Sequence, residues 1–256
     1  MNLNKHEYPK LLLKYPKLIY LAWIFRWALE PRTRFLSKVS NNAKAHRILD
    51  LGSGDGMYAS KLAKSSTYIG IDKSAENIAF TQLILPHFNW FEGDLENLEF
   101  EISEFDEIWC FSVLQYLTEP EKILSTIQSN MKRGAVLKIY SPQQHQIELN
   151  LYKDAFNKFS NYETLHSRRT FITESLISQA LTECDQIKKA VLYGKFGRIS
   201  HEIFSIFLIM FSQEKLSLKA ISIIYLILSL PFILVLNFLD NSKNTGNGLY
   251  TEWQKK

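Results

Sequence analysis

Two aspartates stand where this 256-residue chain could do chemistry, Asp50 and Asp72, each closing a short apolar run. The first leads into Gly52, Ser53, Gly54, Asp55 and Gly56. Glycines at that spacing permit positive φ and close backbone approach to a ligand. A carboxylate at a strand's end can accept both hydroxyls of a ribose. This is how a strand hands a nucleotide-like ligand to a helix, and it predicts a helix after the loop whose free N–H groups face that ligand. The spacing disfavours a dinucleotide, because the third position after Gly54 is Met57, giving G-x-G-x-G rather than G-x-G-x-x-G. A second group, Tyr162, His166 and Arg168, offers acid–base chemistry. An imidazole with an ordinary pKa of ~6.5 takes up a proton near neutrality, while the phenol and the guanidinium would orient the acceptor. A loop histidine is also often only a surface or capping residue.

The elements that must position these residues follow in order. Tyr68–Asp72 reads as a buried strand ending 22 positions after Asp50, about the separation of one βαβ unit. The next apolar run ends at Phe91-Glu92-Gly93-Asp94-Leu95, and another spans Phe105 to Leu117. A helix opens near Pro120 and closes before Gly134, and a fifth strand covers Ala135–Tyr140.

Across residues 46–142 this succession resembles the class I S-adenosylmethionine-dependent methyltransferases. The resemblance implies a Rossmann-like α/β fold: a seven-stranded sheet with helices on both faces and the last strand antiparallel. It implies S-adenosyl-L-methionine as cofactor, with Asp50, Gly52, Ser53 and Gly54 near its methionine end. Asp72 and Lys73 would lie at the ribose, Asp94 and Leu95 at the adenine, and Phe111 and Ser112 along the border. Tyr116 stands where relatives often carry a histidine. Tyr162, His166 and Arg168 fall in a segment similar to the substrate loop of quinone-type and small-molecule members. There His166 is the candidate base, with His145 a weaker one.

Composition agrees with one α/β domain plus appendages, since 46% hydrophobic residues supply a substantial core. The formal charge of +4 has no long basic block behind it and selects no partner. Cys110 and Cys184 lack metal-ligand spacing, so no zinc site is implied and a reducing compartment is expected. The first apolar cluster is interrupted by Lys14 and Lys17 and shows no secretory cleavage pattern, which places the expected catalytic domain in the cytoplasm.

The expected organisation is an N-terminal helical cap over 1–45, the cofactor domain over 46–193, an apolar helical insertion over 194–246, and the final strand over 247–256. The cap is an aromatic, basic stretch broken at Pro31. Its Arg26, Arg32, Arg34 and Lys38 either form a solvated face or meet phosphates or headgroups. Residues 220–239 carry no charge and are long enough to cross a hydrocarbon core. A simple crossing conflicts with Gly248–Trp253, which reads as a strand returning to the same sheet. Pro231 is expected to kink or break the helix. A helical pair dipping into one leaflet through 203–239 fits best, with a buried cap and a true transmembrane anchor as the other arrangements.

Three functions follow. The leading one is methyl transfer to a hydrophobic or lipid-linked acceptor by an enzyme peripheral on the cytoplasmic membrane face. The second is a soluble small-molecule methyltransferase with a helical cap, and the third a non-catalytic cofactor-binding membrane scaffold. No nucleic-acid partner is expected, because Ser112-Val113-Leu114-Gln115 lacks the Asn/Asp-Pro-Pro-aromatic tetrad of amino-directed DNA enzymes.

Overall fold

The computed structural model describes residues 15–43, 47–97, 101–143, 148–158, 171–211, 213, 215–240 and 246–256. Its centre is a seven-stranded sheet: β1 (Arg47–Leu51), β2 (Thr67–Asp72), β3 (Asn89–Glu92), β4 (Glu107–Phe111), β5 (Val136–Pro142), β6 (Cys184–Leu192) and β7 (Gly248–Lys255). The order is β3-β2-β1-β4-β5-β7-β6. The first five strands are parallel, and β7 runs antiparallel between β5 and β6. This is the sheet the sequence implied.

Every residue of β4 is buried, as are Ile48 to Leu51 of β1, which is why both read as unbroken apolar runs rather than alternating ones. Alternate residues feed two cores. Leu49, Leu51, Ile108, Cys110, Leu137 and Ile139 face one side, with Leu124 and Ile127 of the helix Pro120–Asn130 and Ile177 of the helix Glu174–Ala180. Ile48, Tyr68, Trp109, Phe111 and Tyr140 face the other. There they meet α1 (Ile19–Leu29), α2 (Pro31–Asn41) and α3 (Ala75–Ile84). We number the remaining helices α4 (Pro120–Asn130), α5 (Asn150–Lys158), α6 (Glu174–Ala180), α7 (Lys195–Phe211) and α8 (Leu216–Leu239). Pro31 and Pro120 begin α2 and α4, where a missing N–H costs nothing.

One local expectation fails, and of the two outcomes expected at Pro231 the break does not occur. No α-helix follows β1: residues 52–66 form turns and one 3-10 turn, Ala59–Lys61. Gly56 holds φ at +73° while packed against Trp90, Leu85 and Thr81. That conformation lies outside the right-handed helical region and stops a helix from growing out of the loop. Pro231, in contrast, does not end α8, which runs through it from Leu216 to Leu239. The helix loses one N–H there, and packing against α7 along its buried stripe holds the flanking turns.

Helices α7 and α8 fill the connection between β6 and β7, whose facing ends Leu192 and Gly248 pair directly. The start of α7 is fixed by Asp240, which accepts from the N–H groups of Gly194 at 3.2 Å and Gly197 at 2.8 Å. Glu202 of α7 accepts from the N–H groups of Glu148 and Leu149. Arg198 pairs with Glu148, so α7 is seated on the protein itself.

Candidate cofactor site

The sheet order reverses between β1 and β4, and such a switch point opens a crevice outside the carboxyl ends of the strands. Asp50, Asp72, Ser112 and the glycine loop all lie at that edge. Gly52 has φ +78°, and a Cβ there would stand 2.6 Å from Val113 Cγ2. The loop after β1 therefore touches the loop after β4, and no side chain fits between them. Gly54, at φ +56°, has nothing within 4 Å of where its Cβ would be, which leaves that side of the loop open.

Asp72 knits this edge together. Its Oδ2 accepts from the Gly54 N–H at 2.8 Å, and its Oδ1 accepts from the Ser74 N–H at 2.9 Å and from Asn77 Nδ2 at 3.1 Å. Each carboxylate oxygen has two lone pairs, so Oδ2 retains one for a ligand hydroxyl. Asp94 pairs with the exposed ammonium of Lys73 at 2.6 Å, and that charge-assisted hydrogen bond lowers its pKa. Its neighbour Leu95 is buried in the first core.

Asp50 is the most constrained acid of the edge. It is 2% exposed, and its Oδ2 accepts from the Tyr68 hydroxyl at 2.8 Å. Burial pushes its pKa up to about 7, opposed by the Tyr68 hydrogen bond and reinforced by Asp72. A bound cation beside it would restore the ionised form.

The β4 end stores strain. Ser112 adopts φ +61°, uncommon for a residue with a side chain, while its N–H donates to Tyr140 O at 2.8 Å. The Phe111 ring, expected along the cofactor border, stacks on Trp109 with centroids 5.3 Å apart and meets Tyr58 edge-on inside the second core. Among the described residues, Ser53 Oγ and Gln115 Oε1 are buried acceptors with no hydrogen-bond partner. An orphaned hydroxyl inside the glycine loop and the open side of Gly54 fit a polar ligand there.

Several contributors escaped the sequence reading. Tyr68 belongs to the Asp50 pair, and Asn77 to the Asp72 set. Trp23 Nε1 and Arg26 both donate to Asp55 Oδ2, at 3.1 and 2.8 Å, so α1 grips the glycine loop. The signal was there in an acid between two glycines and a Trp–Arg pair three apart on one helix. Arg26 and Arg32, candidates for phosphate or headgroup contact, are instead engaged internally, Arg32 with Glu30 at 3.0 Å. Burial alone would raise the Glu30 pKa, but Arg32, Arg26 and the Thr33 hydroxyl hold it down at about 2. Tyr162, His166 and Arg168, together with His145, lie outside the described residues.

Residues 42–195 match the family described as a methyltransferase domain. The trans-aconitate 2-methyltransferase of Deinococcus radiodurans is 24% identical over 173 residues, 60% of this chain and 66% of that protein. The ubiquinone biosynthesis O-methyltransferase of Coxiella burnetii is 29% identical over 101 residues, 37% of this chain and 42% of that protein. The chain thus spans less than two thirds of the length of these relatives. Among solved structures, an S-adenosylmethionine-dependent methyltransferase of Thermotoga maritima, titled a possible histamine N-methyltransferase, superposes with a TM-score of 0.59 at 13% identity, covering 96% of this chain and 100% of that one. A family match over more than half of the chain, on a sheet of this order, makes it a member of the class I S-adenosylmethionine-dependent methyltransferases.

Proposed function

We propose that this protein transfers a methyl group from S-adenosylmethionine to a hydrophobic or lipid-linked acceptor, working as a peripheral protein on the cytoplasmic face of a membrane. The observation that carries the membrane part is the make-up of α8. Its buried positions are Ser222, Ile233 and Asn237, whereas Ile227, Leu228, Phe232, Val235 and Phe238 are exposed. A water-soluble helix turns its polar residues outward. One that turns small and polar residues to its neighbour and aliphatic ones outward suits lipid. At 24 residues α8 is about 36 Å long, more than a hydrocarbon core of ~30 Å. Because β6 and β7 flank the helical pair in one sheet, α8 fits lying in one leaflet better than crossing both.

The cofactor supplies an electrophilic methyl on a sulfonium. Asp72 would accept from a ribose hydroxyl, Asp94 from the adenine amino group, and Asp50 would face the cationic methionine end. In the transfer the acceptor's nucleophilic atom bonds to the methyl carbon as the carbon–sulfur bond breaks, and the electron pair stays on sulfur. An acceptor hydroxyl must also lose a proton, for which His166 is the candidate base, with Tyr162 and Arg168 orienting the acceptor. The relative named for ubiquinone biosynthesis supports an acceptor of lipophilic quinone type.

The test is methyl transfer from labelled cofactor into a total membrane-lipid extract and, separately, into a water-soluble metabolite extract. Label in the organic phase supports the proposal. Label confined to the aqueous extract overturns the hydrophobic acceptor and favours a soluble enzyme with a helical cap, a reading to which the seating of α7 on the protein lends weight.

A further inference from the structure

Helix α1 is apolar on both faces: Ile19, Trp23 and Leu29 are buried in the protein, and its outward face is apolar as well. Its exposed positions Tyr20, Leu21, Ile24, Phe25 and Trp27 are apolar or aromatic and recur at helical spacing, with Ile24 61% and Phe25 56% exposed. Its one charged residue, Arg26, points the other way and grips Asp55 together with Trp23. Asp55 sits between Gly54 and Gly56, and the Gly54 N–H is the one held by Asp72. One helix thus joins an outward apolar stripe to the cofactor loop through Asp55.

We propose that α1 is a second lipid-contacting surface, joined to α8, and that seating it in an anionic bilayer interface orders the glycine loop and tightens cofactor binding. This rests on the membrane reading above. The two helices meet where Asn237 Nδ2 donates to Leu29 O at 2.8 Å and Leu29 is buried with Ile233 and Phe204. A bilayer is the occupant for two reasons. The uncharged run from Ala220 to Leu239 exposes aliphatic side chains along its length, while Lys17, Lys215 and Lys219 bring cations to the ends of the apolar helices, where anionic headgroups would lie. Trp27 near the C-terminal end of the α1 stripe, 44% exposed, is an amphipathic ring that favours the headgroup level, whereas the Tyr20 hydroxyl donates to Ile84 O within the protein. Lipid that binds α1 in its gripping position raises the population of the ordered loop, and by linkage the cofactor must strengthen lipid binding by the same factor.

The experiment titrates the full chain with S-adenosylhomocysteine, with and without vesicles of phosphatidylcholine and phosphatidylglycerol, and measures flotation with the same vesicles. The expected result is flotation together with an affinity at least ~5-fold tighter on vesicles. The double variant Ile24→Asp, Phe25→Asp should still float through α8 and bind as before in solution, yet show no tightening. Arg26→Gln should float and likewise lose the tightening. Flotation with equal affinity on and off vesicles, in a chain that binds the ligand, overturns the coupling and leaves the membrane reading standing. Absence of flotation overturns both, and a dimer in solution that the double variant disperses would assign these faces to a second copy.

Discussion

The Tyr68 hydroxyl donates to Asp50 Oδ2 at 2.8 Å where the acid is almost sealed from solvent, so β2 supplies from inside the sheet a partner that water would otherwise provide. A carboxyl so placed is expensive to ionise. Its pKa near 7 in the folded protein stands above the 3.8 of the unsealed group. Between those values the unfolded chain has lost the proton and the folded one keeps it, so stability falls as pH rises from about 4 to about 7 and then levels.

Asp50→Asn should therefore stabilise the protein at pH 8, by at most about 4 kcal/mol, with the gain shrinking towards pH 5 where Asp50 is already neutral. The same change should weaken S-adenosylhomocysteine binding at pH 8, because the cationic end of the ligand loses its counter-charge. Thermal melts at the two pH values check the first half and calorimetric titration the second. A variant that melts at or below the wild-type temperature at pH 8 would show that Asp50 ionises without penalty.

Asp72→Ala should cost about 1–3 kcal/mol of S-adenosylhomocysteine affinity, the range for losing hydrogen bonds to a charged group. Part of that loss is indirect, since Asp72 also holds the Gly54 N–H and Asn77. Asn77→Ala separates the two effects by removing one donor and keeping the carboxylate. Its affinity should change by less than about 1 kcal/mol. Equal losses in the two variants would mean that Asp72 acts only by holding the loop.

Gly52→Ala meets two obstacles: the +78° φ, and Val113 Cγ2 at 2.6 Å from the added Cβ. Together they should destabilise the fold by about 2–4 kcal/mol. Val113→Ala in the same chain should return the steric share and leave the backbone share, so the pair is non-additive in chemical denaturation. Additive losses would show that the two loops do not depend on each other.

These contacts mark what was legible in the sequence. The strands with their closing acids announced themselves because a parallel sheet covered on both faces needs unbroken apolar runs, and only a few residues suit its carboxyl edge. The expected helix after β1 failed because glycine spacing reveals that positive φ is allowed, not that Gly56 would adopt it where a Cβ would meet Trp90. The inward turn of Arg26 was hidden for a related reason. In an aromatic helix with a single charge, periodicity alone suggests that the charge faces water, and only the distant Asp55 reverses it. Pro231 does not break α8, because a proline's effect on a helix depends on the neighbour that packs across it.

The outward face of α8 yields the most decisive prediction. Ile227 is 64% and Phe232 69% exposed, so replacing both with lysine removes little packing from the fold. A helix covered only by water would tolerate the change within about 0.5 kcal/mol, the usual range for surface positions. If the face lies in lipid, each lysine must bring an ammonium towards hydrocarbon at a cost of roughly 2.5–3.5 kcal/mol at full depth, less where the side chain reaches the headgroups. The expected outcome is a variant with an unchanged melt and unchanged S-adenosylhomocysteine affinity in solution, but with sedimentation on phosphatidylglycerol vesicles reduced at least tenfold. Undiminished sedimentation would remove α8 from the membrane contact, because two charges at the middle of the stripe could not be accommodated there without loss.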